Sequence, residues 1–293
     1  MLEIDVPTYS RDCLRSLVPQ LDARANKYTR GKLALVAGCE RYPGAACLAA
    51  SAAQRAGAGY VHVFCAPESV PTVRAYRSSL VVSPWGDIGE DALPGNRPGK
   101  PAACVVGPGF DAGDPAQHKL ALDVLRMAKA PVLVDGGALS AMASAHGRLL
   151  GEARAQDGFP TVLTPHGGEA ARLAKAARAD EPHAPDLACA LANAYRSIVV
   201  LKGPDTFVSD GTRTVAVTCG TPALAKAGTG DVLAGIAGAL LAQALDPFDA
   251  CVLAVELHAR AGLACESRMP ALCVTPEDVI DAVSEAVANV LAE

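Results

Sequence analysis

Short apolar runs alternate with helix-like segments through the first half of the chain, and this alternation restricts the fold most strongly. The runs are LALVAG (33–38), YVHVFCA (60–66), ACVVGPG (103–109), PVLVDGG (131–137) and TVLTPHGGE (161–169). Strands that are apolar on both faces are typical of a parallel sheet, because helices cover such a sheet on both sides. The sequence therefore predicts an α/β fold with a mostly parallel central sheet and helices on both faces.

The second half of the chain has a different pattern. Residues 197–218 (SIVVLKGPDTFVSDGTRTVAVT) hold three β-rich runs separated by GPD and SDG turns, which predicts antiparallel strands at one sheet edge. Helices are predicted over 230–245, 248–266 and 276–292. Residues 83–100 are rich in Gly and Pro and predict a surface loop rather than a linker between domains.

Composition narrows the classes of function. The chain carries a net charge of −5 and no Lys/Arg cluster longer than two, so we expect no nucleic-acid partner. Its ten cysteines contain no CxxC pair, which favours buried thiols in a reducing compartment over disulfides or a zinc site. The N-terminus lacks a signal-peptide pattern, and the apolar run 232–245 is too short to span a bilayer. We expect a cytoplasmic protein with no membrane partner, folded as a single domain over residues 1–293.

The segment KAGTGD (226–231) opens a helix of small apolar residues. Glycine weakens a helix interior, so Gly228 and Gly230 are expected to form a turn that feeds the helix. Such a turn exposes backbone N–H groups at a helix N-terminus, which suits a phosphate. Asp231 is either a cap of this helix or a catalytic carboxylate beside the anion, and the segment alone leaves both interpretations open.

Two further motifs follow predicted strands. Gly107-Pro108-Gly109 is either a tight turn or a ligand contact at the carboxyl end of a parallel strand, where open α/β sheets bind ligands. Lys202-Gly203 follows the run IVVL and is either a simple turn or a phosphate contact.

The segment LTPHGGE places His166 and Glu169 three residues apart, as in some metal sites on helices. A closed zinc site is disfavoured, because the sequence offers no evident third ligand. His166 is a candidate substrate contact, and the alternative is a helix-capping turn with a solvated histidine. All these motifs lie at strand ends or at a helix start, so we expect them to converge on one crevice.

Several segments, taken together and in order, resemble the ADP/ATP-dependent NAD(P)H-hydrate dehydratases from about Lys27 to the C-terminus. They are KYTRGKLALVAG, YPGAACLAASAAQRAGAGYVHV, VVGPG, PVLVDGGAL, LTPHGGEAARL, VLKGPDTFVSDG, GTPALAKAGTGDVLAGIAGALLAQ and AVELHARAG. The resemblance implies a ribokinase-like three-layer sandwich. The chain departs from the family pattern in Gly167 for Pro, Ala227 for Gly and DGGAL for DADAL, and the last change leaves the role of Asp135 uncertain.

The same resemblance implies a role for each candidate site residue. Ala45 and Gly109 would line the substrate pocket, and His166 would contact the substrate. Asp231 would be the base at the reacting hydroxyl, with the amides of Gly228 and Gly230 stabilising the transferred phosphoryl group. Glu169 would organise Mg²⁺ through water. The adenine nucleotide would be held by Lys202, Gly203, Pro204, Asp205, Thr206 and Gly230.

The implied activity is that of a hydro-lyase for metabolite repair. ADP or ATP would phosphorylate the ring hydroxyl of the S form of NADH-hydrate or NADPH-hydrate, and loss of phosphate would restore the dihydronicotinamide. The preference for either nucleotide or either hydrate stays open. We expect a homo-oligomer, such as a tetramer, that acts with a separate epimerase, because the chain is too short for the N-terminal epimerase domain of many relatives. The alternatives are a ribokinase-like kinase for a thiazole or pyrimidine alcohol, and a nucleotide-binding regulator that has lost catalysis.

Overall fold

The described strands form one nine-stranded sheet in the computed structural model, which describes residues 6–89, 92–179 and 181–292. Their order across the sheet is β3-β2-β1-β4-β5-β6-β7-β8-β9. Neighbouring strands from β3 across to β7 are parallel, whereas β8 and β9 are antiparallel additions at one edge. The strands are β1 (Lys32–Val36), β2 (Tyr60–Cys65), β3 (Val81–Pro84), β4 (Ala102–Val106), β5 (Val132–Val134), β6 (Thr161–Leu163), β7 (Ile198–Leu201), β8 (Thr206–Ser209) and β9 (Thr214–Val217).

Helices cover both faces of this sheet. They are α1 (Arg11–Leu17), α2 (Pro43–Arg55), α3 (Val70–Tyr76), α4 (Pro115–Met127), α5 (Leu139–Met142), α6 (Ala145–Gln156), α7 (Gly167–Ala177), α8 (Ala184–Tyr195), α9 (Thr229–Ala242), α10 (Pro247–Glu266) and α11 (Pro276–Ala292). The predicted α/β fold, mostly parallel sheet and antiparallel edge are confirmed.

Strand β1 shows why the sheet needs two helical layers. Leu33 and Leu35 belong to a core that includes α2, α9, α10 and α11, whereas Ala34 and Val36 belong to a second core with α4, α5, α7 and α8. Successive side chains of a strand point to opposite faces, so an uninterrupted apolar run must be covered on both. The result is a three-layer sandwich.

Helix α9 owes its small apolar residues to its position between the sheet and its neighbouring helices. A Cβ at Gly235 would lie 2.2 Å from the Ala49 carbonyl oxygen, and one at Gly238 would lie 2.4 Å from Val105 Cγ2. Glycine therefore allows α9 to approach α2 on one side and β4 on the other. This close packing fixes the N-terminus of α9 above the carboxyl edge of the sheet.

The prediction of a surface loop over 83–100 is wrong at its start and at Leu93. Residues 83 and 84 complete the edge strand β3, and the Trp85 indole N–H donates a hydrogen bond to the Phe64 carbonyl at 3.0 Å. Leu93 is buried in the second core. A segment rich in Gly and Pro can still cover a core, because single apolar side chains such as Leu93 pack into that core.

Two further sequence expectations concern thiols and membrane segments. Each of the ten cysteines is a free thiol, and six of them are buried. Among the described residues, no helix combines the length and the apolar character that crossing a bilayer requires.

Candidate active site

Polar and glycine residues follow the parallel strands at the carboxyl edge of the sheet. The row runs from Gly38 after β1 through Gly107 after β4, Asp135 after β5, Thr164 after β6 and Lys202 after β7. Parallel strands bring their carboxyl ends to one edge, which is where open α/β sheets bind ligands. The strand-end motifs therefore lie along one edge of the sheet, as predicted.

The Gly107-Pro108-Gly109 turn is tightly packed against the residues around it. Gly107 has a φ of +115°, and a Cβ there would lie 1.9 Å from the Asp135 carbonyl oxygen. Gly109 has a φ of +69°, and its Cβ would lie 2.8 Å from Ala45 Cβ. Both glycines are thus required by the turn itself, and the turn brings Gly109 beside Ala45 at the start of α2.

An ion pair joins two of these strand ends. Lys202 Nζ lies 2.9 Å from Asp135 Oδ1, which also accepts a hydrogen bond from Thr164 Oγ1 at 2.6 Å. Both partners are largely buried, with the Lys202 and Asp135 side chains 19% and 5% exposed. Burial alone would lower the pKa of Lys202, but the nearby carboxylates, with Asp135 foremost, raise it, so the ammonium remains charged.

The turn before α9 positions the next group. Gly228 has a φ of +96°, and Thr229 Oγ1 donates to the Leu224 and Lys226 carbonyls at 2.7 and 2.8 Å. The helix begins without a side-chain cap, so Asp231 in its first turn is not a helix cap. A Cβ at Gly230 would lie 3.5 Å from Lys202 Nζ, which places the ammonium beside this N-terminus.

Asp231 itself is suited to accept a proton near neutral pH. Burial, together with the negative charge of Asp135, raises its pKa to about 7, while Lys202 acts in the opposite direction. A general base is most effective when its pKa lies close to the working pH. Of the two interpretations left open by the sequence, the structure contradicts the helix cap, and the catalytic role stays a prediction.

His166 and Glu169 cap the N-terminus of α7. The Gly168 N–H donates to His166 Nδ1 at 3.1 Å, and the His166 N–H donates to Glu169 Oε2 at 2.9 Å. Burial raises the pKa of Glu169, and the charge of Lys202 opposes that shift. The helix-capping interpretation of this segment is therefore correct. The His166 side chain is 59% exposed, and its Nε2 lies 3.5 Å from Glu169 Oε1. Among the described residues, no group of three or more His, Cys, Asp and Glu side chains could hold a metal by itself.

A cavity of about 640 Å³ opens beside Lys202 and the start of α9. Its lining includes seven residues singled out from the sequence: His166, Lys202, Gly203, Pro204, Thr206, Gly228 and Gly230. The structure places Ala45, Gly109, Asp205 and Asp231 outside this lining. His166 thus lines the same cavity as Lys202, whereas Ala45 and Gly109 contact each other outside it.

The rest of the cavity wall was not predicted residue by residue. It is mostly apolar and includes Val217, Thr221, Leu224, Val255, His258 and Ala259. Burial lowers the pKa of His258 to about 4, so its ring is neutral at pH 7. Most of these residues belong to the segments GTPALAKAGTGD and AVELHARAG. Both segments contributed to the family resemblance, but the sequence assigned no role to these residues. A cationic end and an apolar wall suit a ligand with an anionic group and a flat apolar portion.

Replacing His166 with Ala tests its part in capping. We expect the free energy of unfolding to fall by about 1 kcal/mol, because the first turn of α7 loses the acceptor of the Gly168 N–H. Chemical denaturation measures this loss, and His166→Asn, which keeps a capping acceptor, should recover most of it. Equal losses in both variants would mean that the cap bond contributes little to stability.

The sequence profile of the NAD(P)H-hydrate dehydratase family matches residues 33–285. The ADP-dependent (S)-NAD(P)H-hydrate dehydratase of Xanthomonas campestris is 37% identical over 246 residues, which cover 81% of each chain. The bifunctional NAD(P)H-hydrate repair enzyme Nnr of Moorella thermoacetica is 36% identical over 260 residues, or 85% of this chain and 47% of that enzyme. This chain therefore spans about half the length of the bifunctional relatives that it matches.

Solved structures agree with these sequence matches. The ADP/ATP-dependent NAD(P)H-hydrate dehydratase of Bacillus subtilis, co-crystallised with ATP and Mg²⁺, superposes with a TM-score of 0.78 at 25% identity, covering 98% of this chain and 99% of that one. A ribokinase-like protein of Enterococcus faecalis has a TM-score of 0.82 at 22% identity, with 100% and 99% of the two chains covered, and shows the shared fold. This chain has a ribokinase-like fold and belongs to the NAD(P)H-hydrate dehydratase family.

Proposed function

We propose that this protein catalyses the ADP- or ATP-dependent dehydration of (S)-NADH-hydrate or (S)-NADPH-hydrate back to the reduced dinucleotide. The observation that carries the proposal is the placement of Asp231. Its carboxylate is partly buried, has a pKa of about 7 and does not cap the helix. The helix N-terminus that carries it adjoins Lys202 and a cavity large enough for a nucleotide. A base, an ammonium and free backbone amides at one point are the groups that phosphoryl transfer to a hydroxyl requires.

The nucleotide occupies the cavity of about 640 Å³ in this proposal. Its phosphates lie against the Lys202 ammonium and the N-terminus of α9, where positive charge and free N–H groups favour an anion. Its base lies against the apolar wall, which includes Val217, Leu224 and Val255. Gly203, Pro204 and Thr206 line the same cavity, while Asp205 is exposed on the turn between β7 and β8 and lies outside the lining.

The hydrated ring lies on the opposite side of Asp231, near Ala45 and Gly109. The contact between these two residues places a small, smooth surface beside the start of α2, where a ring can approach the backbone. His166 lines the nucleotide cavity and has an exposed side chain, so it can reach only a part of the substrate that lies close to the nucleotide phosphates.

Asp231 takes the proton of the ring hydroxyl as that oxygen attacks the terminal phosphorus of the nucleotide. The new P–O bond forms while the bond from phosphorus to the nucleotide's bridging oxygen breaks, and the N–H groups at Gly228 and Gly230 stabilise the charge on the phosphoryl oxygens. The ring nitrogen then supplies an electron pair that expels phosphate by breaking the C–O bond. Loss of a proton from the adjacent ring carbon restores the double bond of the dihydronicotinamide.

The carboxylates around Lys202 are compatible with Mg²⁺. Mg²⁺ prefers oxygen ligands and is commonly held by one or two carboxylates together with substrate phosphates, so a site without three protein ligands suits it. Glu169 is the protein carboxylate that we assign to it, through water, because Glu169 is buried beside Lys202. When bound, the ion would neutralise negative charge on the phosphates.

The rival function is phosphorylation of a thiazole or pyrimidine alcohol to a stable product. A hydroxyethylthiazole kinase of Pyrococcus horikoshii shares the fold with a TM-score of 0.57, well below the 0.78 of the Bacillus subtilis dehydratase. Oligomeric state and cooperation with a separate epimerase stay predictions, and sedimentation of the purified protein tests the first of them.

Incubation of the purified protein with (S)-NADH-hydrate, Mg²⁺ and ADP or ATP tests the proposal. We expect the dihydronicotinamide absorbance to return and one inorganic phosphate to appear for each nucleotide consumed, because a phosphate ester beside the ring nitrogen is readily expelled. An alcohol kinase would leave the absorbance unchanged and consume nucleotide only with its own alcohol. Nucleotide consumption without recovery of absorbance would refute the dehydratase function.

A further inference from the structure

Asp135 lies at the centre of the carboxyl edge but takes no part in the reaction steps above. Its carboxylate accepts hydrogen bonds from Lys202 Nζ at 2.9 Å and Thr164 Oγ1 at 2.6 Å, and it is buried. Its backbone is fixed as well, since its N–H donates to the Val106 carbonyl at 3.0 Å and its carbonyl packs against Gly107. Because these contacts fix the Asp135 carboxylate, it can hold the flexible Lys202 side chain in one position.

Three carboxylates compete for the Lys202 ammonium. Asp135, Glu169 and Asp231 all interact with it electrostatically, yet within the described ranges Asp135 alone forms an ion pair with it at less than 4 Å. Glu169 is engaged by the His166 N–H. The charge of Asp231 also raises the pKa of Lys202, and the preceding residue, Gly230, lies beside Lys202 Nζ. Without Asp135, the flexible Lys202 side chain is free to turn toward Asp231.

We propose that Asp135 is a positioning residue that holds the Lys202 ammonium away from Asp231 and so leaves the Asp231 carboxylate free for the substrate hydroxyl. This inference rests on the proposed function only because it names the substrate hydroxyl as the group that Asp231 deprotonates. A lysine paired with Asp231 would cover the oxygen that takes the proton and would stabilise the ionised carboxylate, which weakens it as a base. The ion pair across β5 and β7 therefore protects the base as well as presenting the ammonium to phosphate.

The groups around Asp231 determine how this role can be measured. Asp135 and Lys202 act on Asp231 directly, and Glu169 on α7 acts on Lys202. His258 on α10 also faces Lys202, whose charge helps to lower the pKa of His258. Removing the charge of Asp135 has two consequences for Asp231. A repulsive negative charge disappears, and Lys202 is released to pair with Asp231, so both consequences lower the pKa of Asp231.

The test is an NMR titration of the Asp231 carboxyl carbon in protein labelled with ¹³C-aspartate, with the resonance assigned from Asp231→Asn. Asp135→Asn should lower the midpoint by about one pH unit or more. In a Lys202→Met background the same substitution should lower it by much less, because only the charge of Asp135 is then lost. Thr164→Val is the matched control, since it removes a hydrogen bond from the same carboxylate but keeps its charge and its lysine, and the midpoint should stay in place.

Circular dichroism and thermal unfolding establish that each variant is folded, and Asp135→Ser replaces Asp135→Asn if the latter does not fold. Turnover of Asp135→Asn should fall about 10-fold while nucleotide affinity changes little, because Lys202 remains near the phosphates. Equal midpoint shifts with and without Lys202, or no shift at all, would overturn the positioning role. The titration does not depend on the substrate, so a protein that shows these shifts but dehydrates no hydrate would contradict the proposed function and support the role of Asp135.

Discussion

Replacing Asp231 with Asn should reduce turnover by about 100- to 10,000-fold and leave nucleotide affinity within a few fold. The side chain does not cap α9, and the N–H groups that bind phosphate belong to the backbone, so the substitution removes the proton acceptor and little else. Steady-state kinetics with the hydrated dinucleotide and calorimetry with the nucleotide measure the two quantities separately.

Asp246→Asn is the matched control, because Asp246 is a true cap that accepts hydrogen bonds from Phe248 N and Asp249 N at the start of α10. This control should turn over normally. If Asp231→Asn also kept near-normal turnover, Asp231 would not be the base.

The same variant has an expected effect on stability that does not involve catalysis. The pKa of Asp231 is about 7 in the folded protein, against 3.8 as the ordinary value. Between these values the folded state holds a proton that the unfolded state has lost, so the Asp231 contribution to stability declines as pH rises from about 4 to about 7. Asp231→Asn removes this decline. Its stability relative to the natural protein should grow through that window and level off above pH 7, at a gain of about 1–3 kcal/mol.

Replacing Gly107 with Ala should destabilise the protein by at least about 3 kcal/mol and abolish activity. A φ of +115° is unfavourable for any residue with a side chain, and the new Cβ would lie 1.9 Å from the Asp135 carbonyl oxygen. The backbone of Asp135 would have to move, and with it the carboxylate that holds Lys202. Denaturant unfolding measures the loss of stability.

Gly86 provides the comparison for this variant, because a Cβ there would meet nothing within 4 Å and the residue has no positive φ. Gly86→Ala should change the free energy of unfolding by less than about 1 kcal/mol. Comparable stabilities for Gly107→Ala and Gly86→Ala would show that the turn tolerates a side chain and that its glycine is not required for packing.

The parallel strands could be predicted because their apolar runs are continuous, as β1 illustrates with alternate residues in two different cores. The edge strand β3 could not, because it begins with the exposed Val81 and continues into a segment rich in Gly and Pro. An edge strand is less completely buried than a central one, so its sequence has a less continuous apolar run from which to predict a strand.

The candidate site divides in the same way. Glycine turns and the capping segment at His166 are local features, and their structural interpretations could be stated from the sequence. The role of Asp135 could not, because its partner Lys202 lies 67 positions away along the chain. Whether Asp231 is a cap or a base likewise depends on burial and on charges that only the folded chain brings to it.

Transfer of oxygen from the substrate to phosphate tests the central claim most directly. The hydrate is prepared with ¹⁸O in its ring hydroxyl and dehydrated by the protein with unlabelled nucleotide and Mg²⁺, and the inorganic phosphate is examined by ³¹P NMR. If the hydroxyl attacks phosphorus and the C–O bond then breaks, each phosphate released carries one ¹⁸O atom. Phosphate without ¹⁸O, with NADH formed and the label in water, would mean that the hydroxyl leaves without being phosphorylated, and it would contradict the mechanism.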